Sequence, residues 1–313
     1  TCALPISINK NCLRINLNKN VDDKIRVWLS PQTSYASLSS NLIYEEKMEP
    51  GRPLMQYEKK SWGDHYTFKG KLTDWEKKFD YMKVCVSRPG LYTGTLLLEN
   101  CKREGILVKG GIRQDTYKGN GVLLKTIHGE PLHKIVYQLN QDSENMVAEL
   151  LNKNLGAYFE SVPGTRKKGL KVLKDYCVNT IGLNPDSFSA GDASGLSLGN
   201  KLSASQLVQV LNFCYKRPEI SNPFKNSLMK TGEHLKLSHI NVPDYMKIYA
   251  KTGTLSSRGV NGIVGYIEFE GIRDIFAFAI LANKRKPGKK PAYTGTLTDE
   301  FLQTIINSFS YYI

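Results

Sequence analysis

The chain has 313 residues, with 43 Lys or Arg and 29 Asp or Glu, so its formal net charge is +14. This length allows two or more domains, and the absence of a long apolar run predicts a soluble globular protein without a transmembrane segment. The basic residues are spread along the chain and no common nucleic-acid-binding motif is present, so no nucleic-acid partner is expected. An anionic polymer would suit the charge as well.

The start of the chain has an unusual composition. Residues 1–6 read like the in-frame translation of a common sequencing-library adapter, and neither an initiating Met nor a signal peptide is present. We therefore expect residues 1–6 to be non-native and the chain to be an open-ended fragment. A mature protein that begins at a processed site is the alternative.

Residues 7–130 have a β-rich pattern, and we expect them to form one or more incomplete β-rich domains. A Ser-rich stretch at 34–40 is expected to break the pattern, and an apolar run at 91–100 predicts a short helix. The predicted strands are residues 12–17, 25–29, 81–86 and 106–108.

The six cysteines show no Cys-x-x-Cys spacing and no close Cys/His cluster, so no zinc site is expected. Cys177 and Cys214 lie on apolar faces of predicted helices. Cys85 and Cys101 could pair in an oxidising compartment.

Residues 131–313 are predicted to form a second domain, which is helical up to about residue 246. Ser203 and Gln206 form a predicted capping box at one helix start. Another helix is expected to end at Gly182, and the last helix is expected to begin at Thr298. The residues predicted to be buried by this last helix are Phe301, Leu302, Ile305, Ile306 and Phe309.

A strand is predicted from residue 247, ending in Lys251-Thr252-Gly253-Thr254. Two apolar runs follow, at 261–269 and 275–281, and predict an antiparallel pair that turns near Gly271. The second run is almost wholly apolar, as expected of a strand covered on both faces.

The Lys251–Thr254 edge has a chemical use. The ammonium of Lys251 would attract a carboxylate, and the hydroxyls of Thr252 and Thr254 could donate to it. Gly253 would let a substrate backbone approach, and the Thr254 N–H would face an oxyanion. An ordinary strand-to-turn junction is the alternative, since Lys-Thr-Gly recurs at Lys230.

Two further segments occur with this edge. Ser143-Glu144-Asn145 opens a predicted helix, and Gly191-Asp192-Ala193-Ser194-Gly195-Leu196-Ser197 forms a loop. With Lys-Thr-Gly-Thr, they resemble the penicillin-binding protein 4 type of D-alanyl-D-alanine carboxypeptidase/endopeptidase, the S13 serine peptidase family. Glu144 departs from the Asn or Asp expected there. Without the resemblance, Ser143 or Asp142 would be interpreted as a helix N-cap.

The resemblance implies a fold and an activity. The fold is α/β: a penicillin-binding-protein/β-lactamase-like transpeptidase domain, with an antiparallel sheet flanked by helices, plus inserted β-rich domains. The activity is hydrolysis of D-Ala-D-Ala or D-alanyl-meso-diaminopimelyl bonds in peptidoglycan through an acyl-enzyme, without metal or cofactor. The implied partners are peptidoglycan stem peptides and inhibitory β-lactam antibiotics, and the implied location is the periplasm or cell envelope.

The resemblance also implies residue roles. Ser143 would relay a proton to the leaving amine, and Asn145 would hold the substrate amide. Lys251, Thr252 and Thr254 would bind the terminal carboxylate.

The family's Ser-x-x-Lys nucleophile has no evident match here. Two such strings occur, at Ser7–Lys10 and Ser227–Lys230, and neither stands where the family has it. We therefore expect the nucleophile to lie outside this chain and the fragment to be inactive. A catalytically inactive peptidoglycan-binding relative is an alternative, whereas a β-lactamase fits the loop and the β-rich front half poorly.

Overall fold

A computed structural model describes residues 8–19, 24–44, 54–72, 81–115, 122–123, 125–255, 258–283 and 295–309. The suspected adapter residues 1–6 and Ser7 lie outside the described residues. Contacts divide the chain into two compact units, and the division falls between Lys125 and Thr126.

The first unit contains two three-stranded sheets and a helix. One sheet has the antiparallel order β2-β1-β6, and the other has the order β3-β5-β4, in which β3 runs parallel to β5. The elements are β1 (Cys12–Lys19), β2 (Ile25–Ser30), β3 (Ala36–Tyr44), β4 (Leu54–Lys59), β5 (Asp64–Leu72), β6 (Tyr81–Cys85) and α1 (Pro89–Arg103).

The core of this unit is formed by alternate strand residues and by one face of α1. Leu13, Ile15 and Phe68 are fully buried, and Tyr92 and Leu96 of α1 pack with them. This arrangement confirms the predicted helix, which begins at Pro89, where proline lacks only an N–H that a first helical turn leaves unpaired.

Two predictions for this unit are wrong. Only Ser34 and Tyr35 of the Ser-rich stretch interrupt the strands; residues 36–40 form the first half of β3, where Ser39 bonds across the sheet to Thr67 and Ser37 bonds to His65. The predicted strand at 106–108 is absent: these residues have no regular structure, and Leu107 is 82% exposed. Apolar residues alone do not form a strand unless a partner strand pairs with them.

The second unit is built on a four-stranded antiparallel sheet of order β10-β9-β8-β7. Its strands are β7 (Met229–Lys230), β8 (Met246–Leu255), β9 (Val260–Phe269) and β10 (Ile275–Asn283). Its helices are α2 (Leu132–Asp142), α3 (Asn145–Phe159), α4 (Arg166–Tyr176), α5 (Ala204–Tyr215), α6 (Pro218–Ser227) and α7 (Gly295–Phe309).

Helices cover both faces of this sheet, as the alternation along β9 requires. Ile263 and Ile267 pack with Leu302 and Ile306 of α7 on one face. On the opposite face, the Tyr266 hydroxyl donates to the backbone oxygen of Leu211 in α5 at 2.7 Å. The predicted antiparallel pair and its turn at Gly271, where φ is 77°, are confirmed.

The helix ends follow the sequence closely. Ser203 and Gln206 form the predicted capping box of α5. The helix predicted to end at Gly182 does so, after α4 continues into a π-helical turn, and Gly182 adopts φ 83°.

Three details of α7 and β10 differ from the prediction. Helix α7 begins at Gly295, three residues before Thr298. Phe301 is 60% exposed because it lies beside the buried stripe of Leu302 and Ile306. Strand β10 is the last strand of the described sheet, and Phe276 on it is 44% exposed, so the expected full cover on both faces is incomplete.

Across the described residues, no helix is both long and apolar enough to span a lipid bilayer.

Candidate active site

A groove of about 530 Å³ runs along the edge of β8 in the second unit. The α2–α3 turn and the 191–197 loop form its other walls. The residues predicted for the site that line this groove are Ser143, Asn145, Lys251, Thr252, Gly253 and Thr254. The three segments singled out in the sequence therefore meet in one place, although Ser143 in the turn and Lys251 on the strand are 108 positions apart in the chain.

Ser143 occupies a strained turn between two helices. It follows the last residue of α2, and its backbone is left-handed, with φ 57° and ψ 52°. A non-glycine residue rarely adopts this conformation outside functional or tightly constrained sites. The N-cap of α3 is Glu144, so neither Ser143 nor Asp142 has the capping role of the alternative interpretation.

Lys251 joins the strand to this turn. Its Nζ donates to the Ser143 Oγ at 2.8 Å and to the backbone oxygen of Thr252 at 2.7 Å. Burial, with a smaller contribution from the positive charge of Lys236, lowers the pKa of Lys251 from 10.5 to about 8. The ammonium is thus already partly desolvated and held in place before an anion binds.

Asn145 is the first residue of α3. Its exposed side chain lines the groove on the same side as Ser143. Its carbonyl oxygen can accept from the N–H of a peptide group, and its NH₂ group can donate to the C=O.

The backbone of β8 also faces the groove, and the strand register shows which groups do so. Glu270 N donates to the Tyr245 oxygen at 2.7 Å, which makes the next pair, Met246 and Phe269, a non-hydrogen-bonded pair. Hydrogen-bonded and non-hydrogen-bonded pairs alternate along the ladder, so the pair of Thr254 and Asn261 is also non-hydrogen-bonded. The N–H and C=O of Thr254 therefore point away from β9, towards the open edge.

This edge of β8 is accessible because its other neighbour is short. Among the described residues, β7 pairs only with Tyr249 and Ala250 of β8. Beyond Ala250 the edge borders the groove, and an atom added at the Cα of Gly253 would meet no other atom within 4 Å. An extended peptide can therefore lie against this edge and pair with it.

The Thr254 side chain has a partner that the sequence analysis missed. Its hydroxyl donates to Asn261 Oδ1 at 3.0 Å, and Asn261 Nδ2 donates to the Thr298 hydroxyl at 3.0 Å. Asn261 and Thr298 are buried. The sequence predicted that the Thr254 hydroxyl donates to a substrate carboxylate. In this structure the same hydroxyl donates to Asn261 instead.

The sequence contained a signal for this contact. Asn261 is a polar residue near the start of a mostly apolar strand, and the antiparallel register places it directly opposite Thr254. A cross-strand polar pair of this kind is detectable once the turn between the two strands is placed.

The 191–197 loop is held by two carboxylates. Asp192 accepts from the N–H groups of Gly195 and Ser197, at 2.8 and 2.6 Å, and from Asn200 Nδ2 at 2.7 Å. Burial opposes ionisation of Asp192, but these hydrogen bonds outweigh it and lower the pKa of its carboxyl. The loop wall is therefore pre-organised.

Helix α3 anchors the same loop. Glu149 Oε1 accepts from the N–H groups of Ala193 and Ser194, at 3.0 and 3.1 Å. Glu149 lies four residues after Asn145, so the helix that presents Asn145 also fixes the opposite wall. Glu149 was not among the site residues predicted from the sequence.

The Ser227-x-x-Lys230 string is structural. Ser227 is fully buried, its hydroxyl donates to the Phe224 oxygen at 2.6 Å, and it accepts from Asn140 Nδ2 at 2.7 Å. Lys230 pairs with Glu233 outside the groove. Neither residue is placed to attack a substrate bound along β8.

The described residues contain no group of three or more His, Cys, Asp or Glu side chains that could hold a metal ion. The groove is lined by an ammonium, hydroxyls, side-chain amides and the Glu144 side chain, beside backbone groups of β8.

Comparison with solved structures defines the class of fold. The chain is similar to penicillin-binding protein 4 from Haemophilus influenzae, with a TM-score of 0.76 and 19% identity, over 97% of this chain and 67% of that one. A second structure of the same protein, in complex with a β-lactam, also gives a TM-score of 0.76, with 18% identity over 97% of this chain and 69% of that one. The fold is therefore the α/β fold of a penicillin-binding protein.

Sequence comparison gives the family. Residues 3–299 match the D-Ala-D-Ala carboxypeptidase 3 (S13) family, and the chain belongs to it. A D-alanyl-D-alanine carboxypeptidase from Actinomadura sp. (strain R39) is 28% identical over 210 residues, which cover 63% of this chain and 37% of that protein. The chain thus spans little more than a third of the length of this relative.

Proposed function

We propose that the chain forms the substrate-binding part of a serine-type D-Ala-D-Ala carboxypeptidase or DD-endopeptidase that acts on peptidoglycan through an acyl-enzyme. The observation that carries this proposal is the 2.8 Å contact of Lys251 Nζ with Ser143 Oγ beside an open strand edge. The contact fixes a cation beside a hydroxyl, next to the outward-facing backbone groups of β8.

The strand edge would bind the carboxyl end of a stem peptide. The peptide would lie antiparallel to residues 252–254 of β8 and bond to their outward-facing backbone groups. Its terminal carboxylate would be bound by the Lys251 ammonium and the Thr252 hydroxyl, while Asn145 would hold the amide on the other side. Gly253 leaves the space that the peptide backbone requires.

Ser143 would serve as the proton relay. A hydroxyl has one donor and two acceptor positions, and Lys251 occupies an acceptor position in this structure. The hydroxyl hydrogen can therefore be given to the nitrogen of the departing D-alanine as the peptide C–N bond breaks. Ser143 would take a proton in turn from the lysine base that deprotonates the attacking serine. The Thr254 N–H would stabilise the oxyanion that forms on the carbonyl oxygen.

The attacking serine and its lysine base would come from a Ser-x-x-Lys segment. We do not assign these roles to Ser227–Lys230, since Ser227 is fully buried and bonded to Asn140 and Phe224. The serine would form an ester with the stem peptide, release D-alanine, and be regenerated when water hydrolyses the ester.

The proposed place of action is the periplasm or cell envelope. The formal net charge of +14 would favour association with anionic wall or membrane polymers. β-Lactam antibiotics, which resemble the peptide end in carrying a carboxylate beside an acyl group, would act as inhibitors at the same groove.

The test is D-alanine release by the product of the natural gene, with a synthetic peptide ending in D-Ala-D-Ala as substrate. We expect release, covalent labelling by fluorescent penicillin, and loss of both on Lys251→Met. Peptidoglycan binding without labelling would contradict the enzymatic proposal and favour an inactive binding relative. A matched Lys171→Met variant, at an exposed lysine paired with Glu160, should behave as the wild type.

A further inference from the structure

Two cysteines face each other across the first sheet of the β-rich unit. Cys12 begins β1, Cys85 ends β6, and the two are direct partners in the antiparallel register. Their Sγ atoms lie 3.8 Å apart. Cys85 is exposed and Cys12 is partly exposed, so reagents in solution can reach the pair.

The type of strand pair suits a covalent bond. Val86 N donates to the Asn11 oxygen at 2.9 Å, so the pair beside it, Cys12 and Cys85, is non-hydrogen-bonded. The Cα atoms of such a pair lie about 4.5 Å apart and the side chains are close. That spacing lies inside the range of about 4.4 to 6.8 Å that disulfides require.

The surrounding structure holds this spacing in place. Leu13 and Val84, the next pair along the ladder, are buried in the core of the unit. Cys12 Sγ donates to the Lys10 oxygen at 3.3 Å, an interaction that a side-chain rotation would replace. The sulfurs can therefore approach bonding distance by rotating about χ1, without moving the strands.

We propose that Cys12 and Cys85 are a modification site at which a cross-strand disulfide forms by exchange with an external disulfide. The sequence-based expectation had Cys101 as the partner of Cys85. The structure instead brings the Cys12 sulfur next to Cys85, on the neighbouring strand.

The oxidant would be a low-molecular-weight disulfide or a disulfide-exchange protein. The Cys85 thiolate attacks it, forms a mixed disulfide and expels one thiolate. The Cys12 thiolate then attacks the Cys85 sulfur and expels the second. The two electrons lost by the cysteines reduce the external disulfide, and the two cysteine protons end on its two thiols.

The bond would join positions 73 residues apart in the chain. Closing so long a loop restricts the unfolded chain strongly, so the bridge would stabilise the β-rich unit. We expect its reduction to lower the unfolding temperature of that unit by on the order of 10 °C.

The test is incubation of the whole chain with oxidised glutathione, followed by alkylation and peptide mass mapping. We expect a peptide pair joined through Cys12 and Cys85, together with a lower unfolding temperature on reduction in a scanning calorimeter. Cys101→Ser should leave the joined pair intact. Cys12→Ser and Cys85→Ser should each abolish both the joined pair and the effect of reductant, while near-UV circular dichroism shows that the variants are folded.

Three outcomes would overturn the proposal. One is complete alkylation of Cys12 and Cys85 after oxidation; another is a bridge from Cys85 to Cys101; the third is a joined pair found only between two chains. None of these outcomes bears on the proposed peptidase groove, which lies in the other unit.

Discussion

Lys251 Nζ donates a hydrogen bond to Ser143 Oγ at 2.8 Å, although 108 residues separate the two in the chain. One residue lies on a strand and the other in a strained turn between two helices. Their contact defines the groove, because it fixes a cation and a hydroxyl at the edge of β8.

Replacing Ser143 with Ala tests the proton relay. In the product of the natural gene, we expect kcat to fall by about 10²- to 10⁴-fold with little change in KM. The reason is that the proposed proton transfer is lost while the carboxylate site remains. Steady-state release of D-alanine measures both constants. Ser238→Ala is the matched control, since Ser238 is exposed and bonds only to the Leu235 oxygen among the described contacts. An equal fall in both variants would rule out the relay.

Replacing Lys251 with Met tests the energetic burden of a partly buried ammonium. The folded pKa of about 8 lies below the ordinary 10.5, so the unfolded state holds the proton more tightly. At pH 7 both states are protonated and the full penalty applies. We expect the variant to be more stable there by about 1 to 2 kcal/mol, allowing for solvent screening of the partly exposed side chain.

The pH dependence gives this prediction its sign. As pH rises from about 8 to 10.5, the folded state loses the proton first and the penalty disappears, so the stability gain of Lys251→Met should shrink across that window. Urea unfolding of both proteins at a series of pH values measures the difference. A gain that stays constant with pH would contradict the assigned pKa.

The affinity for a carboxylate ligand should depend on the same proton. Below pH 8 the dissociation constant of an N-acylated D-Ala-D-Ala peptide should be constant, and above it binding should weaken by about tenfold per pH unit as Lys251 is neutralised. Isothermal titration calorimetry measures this profile. Lys236→Gln removes the nearby like charge, so it should move the midpoint to higher pH.

Replacing Gly253 with Val tests whether the groove must be open at the strand edge. The new side chain would meet no protein atom near its Cβ, so stability should change by less than about 1 kcal/mol while peptide binding is lost. Gly265→Ala is the contrasting variant. Its Cβ would come within 1.9 Å of the Tyr249 oxygen, so it should destabilise the sheet. Retained peptide binding by a folded Gly253→Val protein would contradict the proposed pose.

Replacing Thr298 with Val tests the support of Thr254. Asn261 Nδ2 would lose its acceptor inside the core, which costs about 1 to 3 kcal/mol. The Thr254 side chain would also be held less firmly, and kcat/KM should fall more than stability alone explains at temperatures where both proteins are folded. Thr298→Ser keeps the hydroxyl and should retain both properties. Chemical denaturation and D-alanine release provide the two readouts.

Local sequence predicted much of the second unit. The capping box at Ser203 and the end of a helix at Gly182 depend on neighbours within a few residues, so their patterns are readable directly. The same holds for the antiparallel pair β9–β10. The misses arose where burial depends on distant elements: Phe301 is apolar but lies beside the buried stripe, and residues 106–108 have no strand partner among the described residues.

By itself, the sequence determined the Lys-Thr-Gly-Thr strand, the helix that Ser-x-Asn opens and the family, because these are contiguous patterns with definite chemistry. Only the tertiary structure decided what the side chains of those patterns contact. Antiparallel register turned the Thr254 hydroxyl to Asn261 and its N–H to the groove, and it brought Cys12 to Cys85. Register is set by the packing of whole strands, so no stretch of sequence around one residue specifies it.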